Sequence, residues 1–166
     1  MKRFLSVFGA LVIIIESLSA AFCTGADAKE VLEKKAVYLN VAENKPVKTK
    51  TSYLESGFGA EKLTDGLKGS PLIVGMAAGD WIEVDLERRY FIDRLELTDR
   101  YDIDHEEMRK NIRITVSNKE DFSEYEVVGE IGNDAAENFT HKGLWSLSPD
   151  KHKAWRYIRI ERTGGY

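Results

Sequence analysis

Apolar and polar residues alternate along most of the chain after residue 36, the period of two that belongs to strands rather than helices. In Trp81-Ile82-Glu83-Val84-Asp85-Leu86 the alternation sends Ile82, Val84 and Leu86 to one face. Ile112, Ile114 and Val116 share a face in the same way, as do Tyr125, Val127 and Ile131, and Ile158 and Ile160. Phe91, Leu95 and Leu97 follow suit, with Asp93 breaking the pattern near the strand start. Turn-forming clusters separate these runs: Asp65-Gly66, Gly69-Ser70-Pro71, Ala78-Gly79-Asp80, Asn118-Lys119 and Gly132-Asn133-Asp134. No helical pattern reaches the length of a βαβ crossover, and residues 59–63 suit a short helical turn at most. Strands with one buried and one wet face predict an all-β fold, an antiparallel β-sandwich of jelly-roll type.

The first 21 residues read differently. Lys2 and Arg3 precede an apolar stretch over residues 4–15, Glu16 interrupts it, and the small residues Ser19, Ala20 and Ala21 follow. That is the layout of a secretory signal peptide, and the apolar stretch falls short of the roughly 20 residues that span a bilayer. Cleavage is expected after residue 21, or as late as residue 28. Residues 22–35 form a charged linker and residues 36–166 the sandwich. Either cut leaves about 140 residues, an ordinary single domain. The protein is accordingly expected outside the cell, secreted. The one cysteine, Cys23, permits no internal disulfide, so the fold must rest on its core.

With 31% charged and 43% hydrophobic residues the composition is that of a soluble globular protein, and a net charge of -4 argues against nucleic acid as a partner. Three histidines (His105, His141, His152) and one cysteine leave little material for a nucleophilic or zinc enzyme. No P-loop, dinucleotide fingerprint or serine triad order is present, so no catalytic activity is expected. The acidic run Asp102-Ile103-Asp104-His105-Glu106-Glu107 lacks metal-motif spacing and reads as solvated surface.

Several short motifs then fall in one order. These are Asn40-Val41-Ala42-Glu43-Asn44-Lys45-Pro46-Val47, Ala60-Glu61-Lys62-Leu63-Thr64-Asp65-Gly66 and the Trp81–Leu86 strand. Ile92-Asp93-Arg94-Leu95, Asp99-Arg100-Tyr101-Asp102, Val116-Ser117-Asn118 with Asp121-Phe122-Ser123, and Arg156-Tyr157-Ile158-Arg159-Ile160 complete the series. The set resembles the discoidin domain, or coagulation factor type C domain, over residues 36–163. The resemblance implies a galactose-binding-like sandwich, exported and non-catalytic, with ligands held by loops at one end. Its partners would be carbohydrate or glycoconjugate, a cell-surface protein, or a phospholipid head group. It also implies one further strand after Arg156–Ile160 that this sequence does not reach, so the sandwich is expected to lack its closing strand.

In the sugar-binding branch an arginine at the end of the strand ending near Arg100 holds sugar hydroxyls. Carried over, the resemblance points to Arg100, Asp102, Arg109 and Asn111 as ligand-binding residues. The chemistry is sound in itself: a planar guanidinium offers a fixed fork of donors, and carboxylate and amide groups accept the remaining hydroxyl protons. An ion pair between Arg100 and Asp102 that merely orders the loop is the alternative. Sugar sites also want an aromatic ring to stack on. Trp145 is the candidate from the matching part of the chain, beside Phe139, Tyr101 and Tyr53; Trp81 and Trp155 read as packing.

The loop over residues 71–77 carries Leu72-Ile73-Val74-Gly75-Met76 where sugar-binding relatives present a histidine or tryptophan. Such an apolar loop suits an adhesion module that binds protein or phospholipid, unless the run is a short buried strand. Several family members carry a structural calcium ion. The matching positions are Asp65 and the backbone of Lys62, with Leu67 where relatives supply another oxygen.

Overall fold

The computed structural model describes residues 6–16, 38–50, 59–67, 72–74, 77–99, 110–132 and 144–165. Ten strands alternate with turns: β1 Ser6–Glu16, β2 Tyr38–Asn40, β3 Val47–Thr49, β4 Leu72–Val74, β5 Trp81–Phe91, β6 Arg94–Asp99, β7 Ile112–Ser117, β8 Glu126–Ile131, β9 Leu144–Leu147 and β10 Ala154–Arg162. One 3-10 turn, Ala60–Leu63, lies where the sequence allowed a helical turn.

The strands make two antiparallel sheets. One runs β3-β5-β10-β7-β8; the other runs β2-β1-β6-β9, with β4 also paired to β1. This is the predicted sandwich. The alternating runs supply its interior: Ile82, Val84 and Leu86 from β5, Ile112, Ile114 and Val116 from β7, and Ile158 and Ile160 from β10 are all buried. Leu95, Leu97 and Trp145 meet them from the other sheet in one continuous cluster. Each such side chain contributes roughly 1.5–3 kcal/mol of burial, which a disulfide-free domain of this size needs.

Two placements differ from what the sequence suggested. Ser6–Glu16, the heart of the expected leader, is a strand in the second sheet. Its backbone pairs with β6 along one edge (Leu11↔Leu97 to Ile14↔Arg94) and with β4 and β2 along the other (Val7↔Ile73, Ile15↔Leu39). β1 thus lies inside that sheet, bonded on both edges. The apolar loop is a correction of detail: Leu72–Val74 is not a loop tip but the short strand β4, because three successive apolar residues find a hydrogen-bonding partner in β1.

A bulge sets the geometry of one end of the sandwich. Tyr157 pairs with Asp85 and Trp155 with Tyr90, so residues 86–89 of β5 face Arg156 alone. Glu87 takes a left-handed φ of 67° within it, an unusual conformation for a non-glycine residue. Asp85 holds it in place by accepting the Glu87 amide at 2.7 Å.

Candidate functional site

Of the residues chosen from the sequence, Asn111 is described, at the end of the sandwich where β7 begins and β10 runs out. Arg100, Asp102 and Arg109, with the acidic run at 102–107, lie outside the described residues. So do Tyr53, Tyr101 and Phe139. What is described is the floor from which their segments leave and to which they return.

Asn111 is the centre of that floor. Its left-handed φ of 52° turns the chain into β7, a conformation asparagine tolerates better than most residues. Its amide donates to the Gly132 carbonyl at 3.0 Å, and its carbonyl accepts the Thr163 amide at 2.8 Å. Its side-chain Nδ2 donates to the Gly165 carbonyl at 2.8 Å. The side chain thus ties β7 to the segment after β10, which leaves its Oδ1 and the second Nδ2 hydrogen for a ligand. Gly164 passes so close that a Cβ there would sit 2.9 Å from Asn111 Cγ.

Asp80 and Arg162 continue the floor. Arg162 is wholly buried, its Nε donating to the Gly164 carbonyl at 3.3 Å. Its amide donates to the Asp80 carbonyl at 2.8 Å, and its carbonyl accepts from the Gly79 amide at 2.7 Å. Asp80 Oδ2 accepts the Ala77 amide at 2.9 Å, which closes the turn into β5. Gly79 needs its φ of 82° for that turn, and Lys50 Nζ donates to its carbonyl at 2.8 Å. Three segments (residues 77–81, 111 and 162–165) are thus cross-tied by short polar contacts, so any loop mounted on them starts from a fixed base. The sequence signal for Arg162 was present but inverted: by alternation from Ile158 and Ile160 it falls on the inner face, where a cation is not expected.

Trp145 is not at a loop tip. It lies on β9, 6% exposed, packed in the core across from β8, where a Cβ on Gly129 would come within 2.9 Å of its Cζ2. Its ring face is therefore spent on packing and cannot stack a sugar, which corrects the sequence expectation. Leu144-Trp145-Ser146-Leu147 is apolar at three positions of four, so alternation alone could not show which way the ring points.

Asp65 does not fit a calcium cage. Its Oδ1 accepts the Leu67 amide at 2.9 Å and its Oδ2 lies 3.9 Å from Lys62 Nζ. A cationic neighbour repels a metal ion, and calcium requires six to eight oxygens. Among the described residues no group of three or more acidic, histidine or cysteine side chains is gathered for a metal. Asp65 caps its own turn.

One cluster escaped the sequence reading altogether. On the outer face of the β5-β10-β7 sheet, Arg159 lies over the Phe122 ring at 3.8 Å and the Trp81 ring at 5.0 Å. It also binds the buried Glu83 carboxylate through Nη2 at 3.0 Å. Phe122 reaches this position from the β7–β8 turn with a φ of 53°. Arg159 thus joins the turn to the sheet through its two ring contacts and the Glu83 carboxylate.

The F5/8 type C domain profile matches residues 47–166. No curated protein sequence matches the chain. Among solved structures, the chain is similar to CpGH89CBM32-4 from Clostridium perfringens in complex with GlcNAc-α-1,4-galactose. The two are 25% identical with a TM-score of 0.58, over 79% of this chain and 83% of that one. It is also similar to the fucolectin from Morone saxatilis (striped bass) serum, at 22% identity and a TM-score of 0.60 over 73% of this chain and 42% of that one. A third is CBM62 from Clostridium thermocellum Xyl5A, with 23% identity and a TM-score of 0.57 over 74% and 86% of the two chains.

Proposed function

The chain belongs to the F5/8 type C domain family, and from that premise we propose that it is a secreted, non-catalytic module that binds carbohydrate at the floor around Asn111. The observation that carries this is the likeness to the Clostridium perfringens module, whose structure holds a GlcNAc-galactose disaccharide. Arg100, Asp102 and Arg109 belong to the segment between β6 and β7, both of which end at the cross-tied floor, and they supply donors and acceptors for sugar hydroxyls. Asn111 contributes Oδ1 while its Nδ2 holds the floor together. Trp145 has no part in it. The stacking ring comes from Tyr101, Tyr53 or Phe139. The net charge of -4 favours neutral glycans over sulfated ones.

A glycan array probed with the chain and with Arg100→Ala tests the reading. The expected result is binding to one family of neutral glycans, weakened about ten-fold or more in the variant, as loss of a bidentate hydrogen-bonding group implies. An array without signal, from protein that still binds phospholipid vesicles or cell-surface protein, would favour the adhesion reading instead. Export through residues 1–21 is read out by the N-terminus of protein recovered from the medium, expected between residues 22 and 29.

A further inference from the structure

We propose that Gly164 is a positioning residue of the sugar site: having no side chain, it lets Asn111 lie against the segment after β10, where the asparagine amide is locked with one acceptor and one donor left for a ligand. This rests on the reading of Asn111 as a ligand residue and adds what holds it in place. The usual reason for a glycine does not apply here. Among the described residues Gly66 and Gly79 are the glycines with a left-handed φ, and Gly164 is not one of them. What excludes a side chain at 164 is space.

That space is taken by Asn111. A Cβ on Gly164 would lie 2.9 Å from Asn111 Cγ, 3.0 Å from its Nδ2 and 3.3 Å from its Cβ, all inside normal packing distance. The backbone on both sides is tied. Thr163 donates its amide to the Asn111 carbonyl at 2.8 Å. The Gly164 carbonyl accepts from Nε of the buried Arg162 at 3.3 Å, and the Gly165 carbonyl accepts from Asn111 Nδ2 at 2.8 Å. Just before them the Arg162 backbone is bonded to Asp80 and Gly79, and across the gap the Asn111 amide donates to Gly132. The Asn111 side chain is the part free to turn, and turning it breaks the bond to Gly165.

What goes with that bond is orientation. A carbonyl only accepts, so the contact with Gly165 dictates that Nδ2 faces the segment. The amide then keeps Oδ1 as an acceptor and the second Nδ2 hydrogen as a donor. That is the complement of two neighbouring sugar hydroxyls, one donating and one accepting. Released from Gly165, the amide has no fixed direction, and a ligand must order it again on binding, which lowers affinity. A side chain at 164 therefore weakens sugar binding from a position that need not touch the sugar.

The test compares the parent chain, Gly164→Ala, Asn111→Gly and the double variant, each 15N-labelled and titrated with methyl α-galactoside, N-acetylglucosamine and GlcNAc-α-1,4-galactose. Asn111→Gly removes the amide, suits the left-handed backbone, and assigns the Asn111 side-chain signals by their loss. Without sugar, Gly164→Ala is expected to shift those signals while melting close to the parent. It is expected to bind the parent's sugar about ten-fold more weakly. Asn111→Gly weakens binding too, and adding Gly164→Ala to it brings no further loss, because the glycine acts through the asparagine. Unmoved Asn111 signals in Gly164→Ala overturn the proposal, as do losses that multiply in the double variant. A parent that binds sugar and a Gly164→Ala that binds it equally overturn the positioning role alone and leave the sugar site standing. A parent that binds none of the three sugars overturns it together with the reading it rests on. If Gly164→Ala loses its fold, the double variant, relieved of the clash, folds and binds as Asn111→Gly does, or the proposal is overturned.

Discussion

The Asp85 carboxylate accepts the Glu87 amide within the bulge and both Arg156 donors, Nε at 2.8 Å and Nη2 at 2.9 Å. One side chain therefore stabilises a left-handed residue and clamps β10 to β5. The Arg156 guanidinium, with the Glu87 amide helping, holds the Asp85 carboxyl below the usual carboxylate range. A carboxyl with a lowered folded-state pKa adds stability above its unfolded pKa and loses it as the pH falls through the folded value. Asp85→Asn is thus expected to lower the melting temperature at pH 7, with the gap to the parent chain closing as the pH drops below about 4. A gap that stays constant between pH 7 and pH 3 would show that the charge is not what stabilises the bulge. Asp121 and Asp150 are lowered too, by the backbone amides of Ser123 and His152, so the acid limb of the curve has more than one contributor. The variant isolates the share of Asp85.

Among the elements, β8 and β9 are brought close by an absence of side chain. A Cβ on Gly129 would lie 2.8 Å from Leu147 Cδ2 and 2.9 Å from Trp145 Cζ2. Leucine can shift, but an indole ring packed in the core cannot easily give way. Gly129→Ala is expected to cost about 1–3 kcal/mol by overpacking, against the usual gain from replacing glycine in a strand. Thermal unfolding decides the sign, and a melting temperature equal to or above the parent's would mean that the sheets have slack there. The same contact explains which elements were legible beforehand. β5, β7 and β10 alternate cleanly over their central runs, so their buried faces could be read from the sequence alone. β9 is short and apolar on both faces, which hid the fate of Trp145. Trp155 reads as packing and is buried, but the Asn118 amide that bonds the adjoining Ala154 carbonyl comes from a turn 36 positions away, a pairing that only the fold creates. β4 and β1 are apolar runs of the kind whose period says nothing, and β1 follows Lys2 and Arg3, a positive start that reads as an export signal.

At the scale of the whole molecule, the second sheet depends on its N-terminal strand. β1 is bonded along both edges, to β6 on one side and to β2 and β4 on the other. A chain beginning at residue 22 would leave β6 with an open edge and separate β2 and β4 from their partner. Its melting temperature is expected to fall by roughly 10 °C or more, the scale of a few kcal/mol in a domain of this size. Equal melting of the two forms would show that the sheet closes without β1. The residues that form β1 are also those proposed to direct export, so a single stretch is claimed by two processes that cannot use it at once. A segment held in a translocation channel is not in a sheet, and one built into a sheet is out of reach of a peptidase. The order of those two events then governs the outcome: release before cleavage yields a closed sandwich, and cleavage first yields a molecule with a strand-shaped opening, ready to accept backbone from elsewhere.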